Sequence, residues 1–157
     1  MPAGLGRGNV IGVAATRFTT RLDGDPDPVF RTLVDPSVRA QWDTAVSSVR
    51  PLTEGPLQPG SKLQIRRRLL LGSRQMTVEV NELDRQGRTY GETVLDGPLA
   101  GTDSLWQVEM TGWGSQVRFV YEPRLKGPLA PLLRRRLRKQ ASRTMTRLRN
   151  RFRQYSN

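Results

Sequence analysis

A chain of 157 residues is about one domain in size, long enough to bury a core without cross-links. It has no cysteine and no histidine, which removes thiolate chemistry, imidazole general bases and the commonest zinc ligands; absent cysteine also fits a reducing compartment. The net charge of +12 is unevenly held: residues 1–125 carry 15 basic against 14 acidic residues, a net of +1, while the other 11 cations fall between Lys126 and Arg153 with no acid among them.

The glycine-rich opening, Met1 to Gly8, reads as a loose leader, leaving residues 9–157 as a single domain. Gly4, Gly6 and Gly8 follow no strand, so they make no phosphate loop. The first apolar stretch, Val10 to Ala15, is too short for a signal-peptide core or a membrane span, and a soluble cytoplasmic protein is the expectation.

Val13 to Leu22 alternates as a strand. Asp27-Pro28 and Asp35-Pro36 each place a capping carboxylate before a proline at a helix start. Val29, Phe30, Leu33 and Val34 give the first helix one apolar face, and the second runs from about Pro36 to Trp42. From Val46 the pattern changes to strands: Val46–Leu52, Leu63–Leu71, the alternation of Met76, Val78 and Val80, Thr89–Leu95, Trp106 to Met110, and Val117 to Tyr121. Gly72-Ser73 suits a two-residue hairpin turn, and Gly112 to Ser115 another. Short links predict an antiparallel meander, whose apolar face must be covered. The cover is a terminal helix in which Leu133, Leu137, Ala141, Met145, Leu148, Phe152 and Tyr155 recur at helical spacing, the rest being mostly arginine.

Asp35-Pro36-Ser37 with Trp42 shortly after, Pro59-Gly60-Ser61 opening a strand, and Glu122-Pro123-Arg124-Leu125 leading to Gly127-Pro128-Leu129-Ala130 occur in that order. With the element order, they resemble the START-like (SRPBCC, helix-grip) superfamily over roughly residues 13–153. That superfamily includes polyketide cyclases/dehydrases, lipid-transfer domains and birch-pollen-allergen-like carriers. The resemblance implies an α+β helix-grip fold: a curved seven-strand antiparallel sheet, two short helices and one long C-terminal helix. It also implies a hydrophobic cavity between sheet and last helix, with Trp42 near its entrance. It does not select one activity.

Strand parity supplies the wall. If Met76, Val78 and Val80 face inward, so do Leu63, Ile65, Trp106, Val108, Val117, Phe119 and Tyr121, opposed by Leu133, Leu137, Ala141 and Met145. These residues either line a ligand site or simply pack as core. Within Arg66-Arg67-Arg68, successive residues point to opposite faces, so Arg67 is the one that turns inward, with Glu92 as a candidate partner and Tyr90 on the same face. The trio would orient a ligand carbonyl or carboxylate; otherwise the strand is bulged or Arg67 snorkels to the rim.

Three functions stay open. The first is a carrier or sensor of a small hydrophobic ligand, lipid or polyketide-like. The second is a cyclase/dehydrase, aromatase-like, working without metal or covalent nucleophile, with Arg67, Tyr90 and Glu92 as polar participants. The third is association with RNA or a ribosome through the basic helix. No cofactor and no metal is called for. Arg134, Arg135, Arg138, Lys139 and Arg143 form either a solvated outer face or a cationic ridge for an anionic membrane surface or RNA. Trp113, at a predicted hairpin tip, is a candidate interfacial anchor.

Overall fold

The computed structural model describes residues 15–153. Its elements run β1 (Thr16–Asp23), α1 (Pro26–Val34), a 3₁₀ turn (Pro36–Val38), α2 (Arg39–Trp42), β2 (Val46–Pro51), β3 (Lys62–Leu69), β4 (Gly72–Asp84) and β5 (Thr89–Val94). A second 3₁₀ turn (Gly97–Leu99) leads to β6 (Asp103–Thr111), β7 (Gly114–Glu122) and α3 (Ala130–Arg153). One strand, two short helices, six strands and a long helix is the order implied by the helix-grip resemblance. The leader, the predicted strand start at Val13 and the stripe's last member, Tyr155, lie outside the described residues.

Two boundaries differ from expectation. The cap of α1 is Asp25, whose carboxylate accepts the Asp27 amide at 3.0 Å, with Pro26 at the first position. Asp25-Pro26 repeats the Asp27-Pro28 signature two residues earlier, and the earlier copy starts the helix. Asp35 caps the 3₁₀ turn as anticipated, accepting from the Ser37 amide. The β3–β4 turn falls at Leu70-Leu71 rather than Gly72-Ser73, because Leu69 pairs with Gly72 and Ile65 with Met76. The two registers put the same side chains on the same face, so alternation alone cannot separate them. Gly72 instead takes the left-handed conformation just past the turn, φ +93°.

The seven strands form one antiparallel sheet in the order β1-β7-β6-β5-β4-β3-β2. It is a meander from β2 to β7, with β1 added beside the last strand. Two bulges bend it, one at Ser47 in β2 and one at Asn81 in β4. The second depends on Gly91 across the ladder: a Cβ there would lie 2.4 Å from the Asn81 carboxamide oxygen. Asn81 donates to the Thr93 hydroxyl at 2.6 Å and so anchors the distortion.

On the concave face, α1 packs Val29, Phe30 and Leu33 against the sheet near β6 and β7. The 24 residues of α3, about 36 Å long, lie along β1 and touch α2. Its buried positions are Leu137, Gln140, Ala141, Thr144, Met145 and Leu148, while Leu133 and Phe152 are half-buried. The core divides into two apolar clusters. One gathers α1, Trp42, Trp106, Met145 and Leu148; the other gathers Leu63, Ile65, Met76, Leu99, Leu137 and Ala141. No described helix is long and apolar enough to cross a membrane.

The β6–β7 hairpin supplies a test of the β1 pairing. A Cβ on Gly114 would sit 2.4 Å from the Leu22 carbonyl oxygen, whereas one on Gly112 would meet open space. We predict that Gly114→Ala destabilises by about 1–3 kcal/mol in denaturant unfolding and Gly112→Ala by much less. Equal effects would contradict the close approach of β1 to β7.

Candidate functional site

Between the two clusters, under α3, lies a cavity of about 60 Å³. Its apolar wall comes from alternate residues of the strands (Ile65, Met76, Val78, Val94, Trp106, Phe119 and Tyr121) and from Leu99, Leu137 and Ala141. The aromatics form a ladder: Trp106 stacks on Phe119 at 4.0 Å between ring centres, and Phe119 on Tyr121 at 5.5 Å.

Its polar wall is built around Arg39, Asp43, Arg67, Glu92, Gln140 and Thr144. Arg39 and Asp43 stand one helical turn apart, so both point into the core from α2 and the residue that ends it. Arg39 Nε donates to Asp43 Oδ2 at 3.0 Å and Nη1 to Glu92 Oε1, with all three residues buried at 7%, 6% and 4% exposure. The guanidinium also lies 5.5 Å from the centre of the Trp42 ring. Burial works against its charge, but Glu92 and Asp43 outweigh that, and the pKa of Arg39 is raised. Burial, reinforced by Glu92, pushes the Tyr90 phenol well above its ordinary value. Burial also raises the Tyr121 phenol.

Asp43 continues the network. Its Oδ1 accepts the Ala45 amide at 3.1 Å and faces the Thr144 hydroxyl at 3.5 Å. Thr144 in turn accepts the Thr44 amide at 3.1 Å, and the Thr44 hydroxyl donates to the Gln140 carbonyl at 3.1 Å. The Gln140 side chain donates to the Arg68 carbonyl at 2.7 Å. Two uncharged polar residues of α3 thus sew the helix to β3 and to the turn that enters β2.

Arg66 and Arg68 are exposed while Arg67 lines the cavity. The expected Arg67–Glu92 pair is not formed: Arg39 holds that carboxylate, because α2 reaches the fifth strand from above. Arg67 makes a long contact from Nη2 to Gln140 Oε1 at 3.5 Å, and its buried Nε has no hydrogen-bond partner among the described residues. Burial depresses its pKa below the ordinary arginine value; Asp43 partly offsets this and the Arg39 charge adds to it.

The remaining sequence candidates divide by depth. Ile65, Met76, Val78, Trp106, Phe119, Tyr121, Leu137 and Ala141 line the cavity with Arg67 and Glu92. Leu63, Val108 and Met145 belong to the packed core rather than the lining. Trp42 lies one layer behind, edge-on to Trp106 at 5.3 Å, its indole N–H buried without an acceptor among the described residues. Tyr90 is buried beside Glu92, outside the lining. Leu133 faces a separate groove. Arg134, Arg135, Arg138, Lys139 and Arg143 are all exposed. Trp113 is exposed too, with the Arg21 guanidinium 5.0 Å over its ring.

Arg39, Asp43, Gln140 and Thr144 escape a reading based on strand parity. Their sequence signals are spacings of four: Arg39 with Asp43, and Gln140 with Thr144 beside the apolar stripe.

The ion triad predicts a stability signature. Arg39→Met leaves two buried carboxylates without their cation and should cost about 3–5 kcal/mol in denaturant unfolding. Adding Glu92→Gln should recover part of that loss. Strict additivity of the two changes would show that the pair is not coupled.

A family model described as polyketide cyclase / dehydrase and lipid transport matches residues 14–153. No curated protein sequence matches the chain. Among solved structures, the Zhui aromatase/cyclase from Streptomyces sp. R1128 is similar at 12% identity and a TM-score of 0.80, over 91% of this chain and 95% of that one. The protein TTHA0849 from Thermus thermophilus is similar at 16% identity and a TM-score of 0.74, over 91% and 99% of the two chains. Ara h 8.0201 is similar at 16% identity and a TM-score of 0.71, over 93% and 100%. Identities this low establish the shared fold alone.

Proposed function

The chain belongs to the polyketide cyclase/dehydrase and lipid transport family, and from that premise we propose that it is a carrier or sensor holding a small hydrophobic ligand, lipid- or polyketide-like, between the sheet and α3. One observation carries this reading: Arg67 points into a mostly apolar cavity with a buried N–H that nothing among the described residues accepts. An unmade buried hydrogen bond of this kind is costly, and a ligand oxygen would complete it. The aromatic ladder and the aliphatic side chains of Met76, Val78 and Leu137 would receive the rest of such a molecule.

The present volume sets a condition on the mechanism. Sites for drug-sized ligands measure roughly 300–1,000 Å³, so uptake requires the roof to yield. The roof consists of α3 and the 3₁₀ turn bearing Leu99, and α3 is held here by a small set of hydrogen bonds at two residues, Gln140 and Thr144. Occupancy and opening are therefore one event, and a bound ligand stabilises the protein by mass action.

Holding is favoured over turnover by the state of the acids. Both carboxylates on the cavity wall, Asp43 and Glu92, are engaged by Arg39, and Tyr90 is held in its neutral form behind them. A cyclase built on Arg67, Tyr90 and Glu92 would need Glu92 released from that pair.

A fluorescent fatty acid tests the proposal. Arg67→Met should weaken its binding about tenfold or more, the scale of a lost hydrogen bond to a charged group. Ala141→Phe, which projects into the cavity, should abolish binding while leaving the fold intact by circular dichroism. Native mass spectrometry of protein purified from its own host should show a co-purifying apolar molecule. An empty protein that neither retains nor takes up such a molecule would sink the carrier reading.

A further inference from the structure

At one end of the molecule three connections meet: the β3–β4 hairpin, the 3₁₀ turn before β6, and the link from β7 into α3. They line a single shallow groove. Its leucines are unusually open to solvent. Leu71, at the hairpin tip, is 89% exposed, and Leu70 beside it and Leu129 on the approach to α3 are exposed too. Isolated exposed leucines are ordinary, but three from two connections lining one groove form a patch of the kind that marks interaction sites.

Cations ring this patch. Arg74, Arg124 and Lys126 line the groove itself, whereas Arg134 and Arg135 lie on another face of α3, beside Phe18. From Arg124 to Lys139 there are seven cations and no acid. The acids nearest in sequence are already occupied: Glu122 pairs with Arg124 at 3.3 Å, and Asp96 accepts the Thr77 amide at 2.8 Å.

We propose that this end of the molecule docks on an anionic lipid bilayer, the leucines entering the acyl boundary and the cations meeting the headgroups. Apolar tips framed by basic residues suit that interface on both counts. A nucleic acid backbone would use the cations but leave the leucines in water, and the residues lining the groove include no aromatic platform for bases. The site is also placed to matter. Leu99 and Leu137 line the cavity while their neighbours Pro98 and Leu133 line the groove, so one 3₁₀ turn and one helical turn separate the two spaces. Docking nevertheless does not require that the cavity hold a ligand.

Sedimentation of the full chain with phosphatidylcholine vesicles, with and without phosphatidylserine, tests the proposal. Binding should appear only with the anionic lipid. Leu71→Ser, and separately Leu129→Ser, should each weaken it severalfold, and the pair by about tenfold or more, since each removes apolar groups from the inserted surface. Arg74→Glu with Lys126→Glu should weaken it comparably. All four side chains are exposed, so unchanged melting temperatures are expected alongside. Failure to bind phosphatidylserine vesicles would overturn the proposal. So would binding that survives loss of the leucines, which would assign the surface to charge alone, as for an RNA backbone.

Discussion

The structure turns on the burial of one guanidinium between two carboxylates. Arg39 takes Asp43 from its own helix end and Glu92 from the fifth strand, and this choice decides the character of the cavity beside it. Had Glu92 faced Arg67, the site would have been a closed ion pair on a strand surface. Instead Arg67 is balanced only through space, by acids whose hydrogen bonds are spent elsewhere. The four charges sum to zero, so the field is tolerable, yet donor capacity remains unused. On that combination the proposed ligand role of the wall rests.

The same network explains why the terminal helix is both roof and wall. A purely apolar α3 would fuse the two clusters into one dense core. Gln140 and Thr144 interrupt it with a polar seam, each tied to backbone atoms of β3 or of the turn entering β2. A seam of directional bonds fixes the helix in register, whereas interdigitated aliphatic packing would resist separation along its whole length. The helix end carrying Met145 and Leu148 packs against α1 and its neighbours, and the end carrying Leu137 and Ala141 packs against the second cluster, with the polar seam between them.

Much of the architecture is legible in the chain because period-two alternation and short links leave few topologies for six consecutive strands. The inward set around Met76, Val78, Trp106 and Phe119 follows from parity, as does the inward turn of Arg67. Parity also marks the limit of such reading. It does not choose between registers that differ by an even step, which is why the turn expected at Gly72-Ser73 stands at Leu70-Leu71 instead. Nor does it name partners across elements: Arg39 reaches Glu92 from a helix 53 positions earlier. Cavity lining separates from core only in three dimensions, since Leu63 and Ile65 share a face and a chemistry but differ in depth. The cationic terminal segment is plain from composition, while the exposed leucines beside it gain meaning only where three loops meet.

The placement of β1 has a kinetic corollary. Its first residue pairs with Tyr121, and the strand also packs against α3, the last described element. Closing a loop of about a hundred residues carries an entropic cost that local hairpins do not bear. The β2–β7 hairpins therefore have the shorter search, and the two ends of the described region, β1 and α3, are joined through the most distant contacts in it. Until those ends meet, the concave face has no roof.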